Sequence, residues 1–157
     1  MKNIIWIFVA LFIGQAAYSQ DNISPERKMA IDSLALEKVR DLSKYISIIG
    51  DKQTPWSEAN RVIERTLELF TEDAQMGVSS LNQKEVKYYD IRTYLERLMA
   101  LNYDKVTIEW FNIEYISDLE RQPDGRYVGV ITIYQRFEGR SGDKLKYVDT
   151  TKKDITV

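Results

Sequence analysis

The chain has 157 residues, with 22 basic and 24 acidic side chains and neither histidine nor cysteine. Those two absences exclude disulfides, thiol nucleophiles, histidine relays and zinc held by nitrogen or sulfur. A pI near 5.3 denies the chain the electrostatic footprint of a general nucleic-acid binder. The 44% hydrophobic and 29% charged fractions are ordinary globular values, and the length suits a single core.

The first feature in chain order is an export signal. Lys2 supplies a positive start, Ile4 to Ile13 is an unbroken apolar run, and Gly14-Gln15 breaks it. Ala17 and Ser19 then place small residues where a signal peptidase reads, so cleavage is expected before Gln20. Ten apolar residues at ~1.5 Å each cover about half of a ~30 Å hydrocarbon core, which argues against a retained anchor. Removing residues 1–19 takes away only one charge, Lys2, and leaves the mature net charge at −3 against −2 for the whole chain. Export without cysteine suits a bacterial periplasm or cell exterior. The expected organisation is a signal peptide over 1–19, a helical segment over 20–56 and an α+β domain over 57–157.

Ser24-Pro25 predicts a helix start, with Ser24 as cap and Pro25 in the first helical position. Apolar residues recur at helical spacing from Ile31 to Ile49, and Gly50 is the expected stop. Thr54-Pro55 opens a second helix with Trp56, Ala59, Ile63, Leu67 and Phe70 on one stripe, ending near Thr71. The period then changes to two. Ala74, Met76 and Val78 alternate with polar neighbours, Ser80 to Gln83 reads as a turn, and Val86 to Tyr89 returns. Asp90 caps a third helix that closes near Asn102.

From Lys105 onward the pattern predicts a three-stranded meander. Val106, Ile108 and Trp110 share a face, and after Phe111 the parity flips to Ile113 and Tyr115, the arithmetic of a one-residue bulge. Pro123-Asp124-Gly125 is a turn. Tyr127 to Phe137 is apolar on both faces and reads as a central strand, Gly139 to Asp143 turns, and Leu145 to Val157 is the last strand. Helices followed by antiparallel strands mean α+β, with the helices packed on one face of a curved sheet.

Leu69-Phe70-Thr71-Glu72-Asp73-Ala74, leaving a helix and entering a strand, resembles the corresponding passage of NTF2-like domains. With the element order, the resemblance covers about residues 57–157. It implies a cone-shaped, cystatin-like α+β fold and a hollow able to hold a ligand. The superfamily includes ketosteroid-isomerase-like and dehydratase-like enzymes beside non-catalytic binding and dimerisation modules. Isomerase-like members carry a base carboxylate on the strand after the Asp-Ala motif, whereas Gln75 to Ser80 has none; dehydratase-like members lean on histidine, which is absent. No catalytic residue, metal or cofactor is therefore expected.

The residues expected to contact a ligand are Trp110, Tyr115, Tyr134 and Asp149. Aromatic walls with phenolic hydroxyls suit a ring or a sugar, and Asp149 interrupts the face of Leu145, Tyr147 and Thr151. Glu109 and Glu114 read as a solvated face. Arg126, Arg136 and Lys152 read as partners in surface ion pairs. The expected function is an exported non-catalytic domain that binds a small ligand or a protein partner, or forms a homodimer, through its concave sheet. The competing expectation is a small isomerase, dehydratase or hydrolase using a tyrosine and a carboxylate. Its mark would be a desolvated carboxylate within hydrogen-bonding distance of a tyrosine hydroxyl.

Overall fold

The computed structural model describes residues 23–80, 83–113 and 116–157. The segment expected to direct export, Glu114 and Tyr115 lie outside the described residues. Helix α1 runs over Pro25–Gly50; the Ser24 hydroxyl accepts from the Arg27 amide at 3.2 Å, and Pro25 fills the first turn. Gly50 ends the helix, though not through a left-handed cap. It is buried, and a Cβ there would lie 3.1 Å from Ile108 Cδ1. This glycine permits the close approach of helix and sheet.

Helix α2, Trp56–Leu67, is shorter than its apolar spacing suggests. Beyond it the Leu69 and Phe70 amides bond three residues back, to Thr66 and Leu67, so the chain tightens and leaves the helix before Thr71. Its buried stripe is Ala59, Val62, Ile63 and Thr66, while Trp56 is 65% exposed. The buried Thr66 hydroxyl is satisfied by donating to the Val62 carbonyl at 2.7 Å. The hairpin of β1 (Gln75–Ser80) and β2 (Gln83–Asp90) follows. Helix α3, Ile91–Met99, starts where Asp90 accepts from the Thr93 amide at 2.9 Å; hydrogen bonding from the Thr93 side chain, and then from its amide, holds the Asp90 carboxyl below its usual range.

The main sheet is three-stranded and antiparallel: β3 (Lys105–Phe111), then β6 (Val130–Ser141), then β7 (Lys144–Thr156). The central position of β6 agrees with its two-sided apolar sequence. A small hairpin, β4 (Glu120–Arg121) with β5 (Tyr127–Val128), is closed by the Pro123-Asp124-Gly125 turn, where Gly125 has φ +86°.

Besides the end of α2, three boundaries differ from the sequence pattern. The first strand of the meander does not carry on through a one-residue bulge. It ends at Phe111, Asn112 takes φ +58°, and Ile116 rejoins the sheet by a bridge to Ile131. Between the pairs Phe111–Tyr134 and Ile116–Ile131 the first strand spends five steps where β6 spends three, an excess of two residues.

The predicted strand from Tyr127 is split by Gly129, which exchanges two backbone hydrogen bonds with Val157. Gly139 lies within β6, and the turn is confined to Gly142-Asp143, with Gly142 at φ +57°. Gly139 is small for a packing reason. A Cβ there would sit 2.6 Å from the Tyr103 ring, itself edge-on to Phe137. Gly139→Ala is expected to displace that ring and cost about 1–3 kcal/mol. Urea unfolding would show it as a lower midpoint at unchanged slope.

The helices cover one face of this sheet. Leu42, Ile46 and Ile49 of α1 join Val62 and Ile63 of α2, Leu95 and Leu98 of α3 and Val106 and Ile108 of β3 in the main core. A second cluster holds Val39, Ile116, Ile131 and Ile133, and Trp110 packs against both. Among the described residues, no helix is long and apolar enough to cross a membrane.

Candidate functional site

Strand alternation decides which side chains meet the helices. On β7, Tyr147, Asp149, Thr151, Lys153 and Ile155 are half-buried, while Val148, Thr150, Lys152 and Asp154 are exposed. The register aligns these with the covered face of the neighbouring strands. Ile108, Phe137 and Asp149 form one row, Trp110, Gln135 and Thr151 the next, and Ile133 pairs with Lys153. The rows at the end near the chain terminus are hydrocarbon, with Ile131 opposite Ile155. In between, the covered face turns polar.

Four contacts organise this polar patch. The Trp110 indole Nε1 donates to Gln135 Oε1 at 2.9 Å, which orients the ring and occupies the amide oxygen. The Tyr147 hydroxyl donates to Asp149 Oδ2 at 3.2 Å, and the Tyr147 ring lies edge-on to Phe137. The Lys153 ammonium stands 5.9 Å from the centre of the Tyr94 ring, which α3 brings over β7.

Burial pushes the Lys153 ammonium down to about 8, against the support that Asp149 lends its charge. Burial also raises the Tyr94 phenol to about 12, so it stays neutral. An edge strand whose polar side chains merely rimmed a core would leave them in water. This lysine has lost part of its water.

Of the residues expected to contact a ligand, Trp110 and Asp149 lie on this covered face. Tyr134 does not. It occupies the opposite face of β6, 37% exposed, and stacks on Phe111 with ring centres 5.7 Å apart. The inward positions of Ile131 and Ile133 turn Tyr134 outward by parity. Tyr115 lies outside the described residues. Lys153, Gln135 and Tyr94 are additions that only the register and the placement of α3 bring to the patch.

Asp149 takes its bond from Tyr147, two residues back on the same strand, rather than from a cross-strand base. Arg126 pairs with Asp124 at 2.7 Å and Arg136 with Glu138 at 2.7 Å, both at exposed sites of small energetic weight. Glu109 is exposed opposite Arg136. Among the described residues, no group of three acidic side chains is placed to hold a metal ion.

These observations define an α+β domain in which three helices pack on antiparallel sheets. No protein-family model, curated protein or solved structure gives a significant match to this chain.

Proposed function

We propose that the chain is an exported, non-catalytic binding module of NTF2-like character, which takes a small ligand on the helix-covered face of β6 and β7. The observation that carries this reading is the half-buried set Gln135, Asp149, Thr151 and Lys153 on a face otherwise packed with hydrocarbon. Burying a charged or amide group without full compensation is costly, so such a patch lowers the stability of the ligand-free fold, a cost that a recognition role accounts for. Trp110, Tyr94 and Phe137 provide adjoining aromatic surface, the usual companion of a few convergent polar groups in ligand sites. Export rests on the apolar run and the small-residue cleavage site before Gln20. A mature mass beginning at Gln20 supports it, and an intact Met1 refutes it.

Trp110 offers a direct test of binding. After cleavage before Gln20 the chain retains Trp56 and Trp110, so Trp56→Phe leaves one tryptophan, at the patch. A library of small organic acids, sugars and aromatic compounds is titrated against that variant. At least one is expected to give a saturable change in Trp110 emission that Thr151→Val weakens tenfold or more. A library with no saturable response overturns the reading.

One observation favours a second reading, a small acid–base enzyme. The Tyr147 hydroxyl and the half-buried Asp149 are hydrogen-bonded beside a lysine of lowered basicity, the groups that general acid–base work requires. Turnover of a simple ester or enone, lost in Asp149→Asn, would establish that alternative over the first.

A further inference from the structure

We propose that the ligand of this face is an organic monoanion, a carboxylate on an apolar or aromatic body, with the carboxylate seated on the Lys153 ammonium. The inference rests on the binding reading above and names the class of ligand that the patch recognises.

The argument starts from what Lys153 lacks. Asp149 already accepts from the Tyr147 hydroxyl, and Gln135 Oε1 already accepts from Trp110. Among the described residues, the Lys153 ammonium has the Tyr94 ring as its near neighbour and no hydrogen-bonded acceptor or ion-paired carboxylate. Asp149 acts on it only as a charge at a distance. A half-buried cation that has lost part of its water and gained no counter-ion is the most costly group on this face. An incoming carboxylate removes that cost and forms a charge-assisted hydrogen bond, roughly twice as strong as a neutral one.

The surroundings restrict the anion further. Lys153 is the single basic side chain that the alternation of β3, β6 and β7 turns inward. Asp149 shares its face two positions beyond Thr151. A dianion such as a phosphate monoester would leave one charge unmatched and bring it toward that carboxylate, and no guanidinium fork faces it. A single negative charge is matched. Behind the ammonium, Ile133 stands opposite Lys153 across the strands, and the Tyr94 ring lies over it. The Trp110 ring is one row further along the sheet. A ligand that seats its carboxylate on Lys153 therefore extends its body along apolar and aromatic surface.

The test compares acids with their uncharged carboxamides: phenylpropionate and octanoate against phenylpropionamide and octanamide. Each is titrated at neutral pH into the exported Trp56→Phe chain and the same chain carrying Lys153→Met or Lys153→Arg. Lys153→Met removes a buried charge and keeps the unbranched stem, so loss of fold is not a competing explanation. Lys153→Arg keeps the charge as a second control.

At least one acid is expected to bind tenfold or more tightly than its amide. Lys153→Met is expected to bring the pair within twofold of each other, while Lys153→Arg retains the acid's advantage. If acid and amide bind the parent chain alike, the inference falls while the binding face stands. It falls equally if the acid's advantage survives Lys153→Met, or if only sugars or neutral rings titrate Trp110. If nothing in the wider library titrates Trp110, the binding reading itself is lost.

Discussion

Replacing Ile131 with alanine is expected to destabilise the domain by about 2–5 kcal/mol, the range for removing a large aliphatic side chain from a closed core. Ile131 is fully buried near the start of β6, the central strand of the sheet, opposite Ile155 on β7 and in the isolated bridge to Ile116. It belongs to the smaller cluster with Val39 and Ile133, where α1 meets the sheet. That cluster has few members, and the strand backbones around the site are fixed by their ladders, so collapse into the vacated space is limited. Against a typical domain stability of about 5–15 kcal/mol, the loss removes a large fraction of the total. Thermal unfolding followed by circular dichroism should show the midpoint fall by roughly 10 °C. A change of one or two degrees would mean that the second cluster contributes little and that Ile116 is not clamped to β6.

Much of this frame is written in short-range chemistry. Ser24 and Asp90 each accept an amide three residues on, as their positions before apolar-periodic runs predict. The Pro123-Asp124-Gly125 turn, the β1–β2 hairpin and the centrality of β6 were likewise readable from local pattern. What escaped the pattern is what depends on a distant partner. Gly139 looks like a turn residue until the Tyr103 ring is seen against it, and Gly50 looks like a helix stop until β3 is seen behind it. The excess residues after Phe111 can be counted only once Ile116 is known to pair with Ile131.

The site divides in the same manner. Asp149 was visible because a carboxylate interrupts an alternating run. Lys153 sits on the same parity, four residues further, and the period-two argument could have found it. Its neighbours Lys152 and Asp154 make that stretch look wholly solvated, so the signal was masked. Tyr134 stands on the face of β6 away from the helices, and since β6 is apolar at Ile133 and Tyr134 alike, period alone does not choose which of the two turns inward. The pairing of Trp110 with Gln135 follows from the register, and the cover over Lys153 from where α3 lies. Neither is a property of any one segment.

Lys153→Met is expected to stabilise the ligand-free domain at neutral pH, by an amount that shrinks as the pH is raised. In the folded chain the ammonium releases its proton near 8, against an ordinary 10.5 for an exposed lysine. At pH 7 both folded and unfolded chains carry the charge, so the folded state bears the full penalty of burying it. Between about 8 and 10.5 the unfolded chain holds more protons than the folded one, and stability attributable to this group rises with pH. A shift of this size corresponds to at most about 3–4 kcal/mol, reduced by the solvent that still reaches a half-buried amine. Methionine keeps the unbranched apolar stem and has nothing to titrate, so the variant's advantage should be greatest below pH 8 and fade toward pH 10. The charged and titratable groups facing Lys153 among the described residues are Asp149 and Tyr94. Tyr94, raised to about 12, contributes stability that is lost only above its ordinary value near 10, outside the useful window. Paired urea titrations of parent and variant at pH 7, 8, 9 and 10 measure the difference directly and cancel the groups common to both chains. Parallel curves would mean that the amine is as well solvated folded as unfolded, and the case for Lys153 as an ammonium waiting for an anion would fail with them.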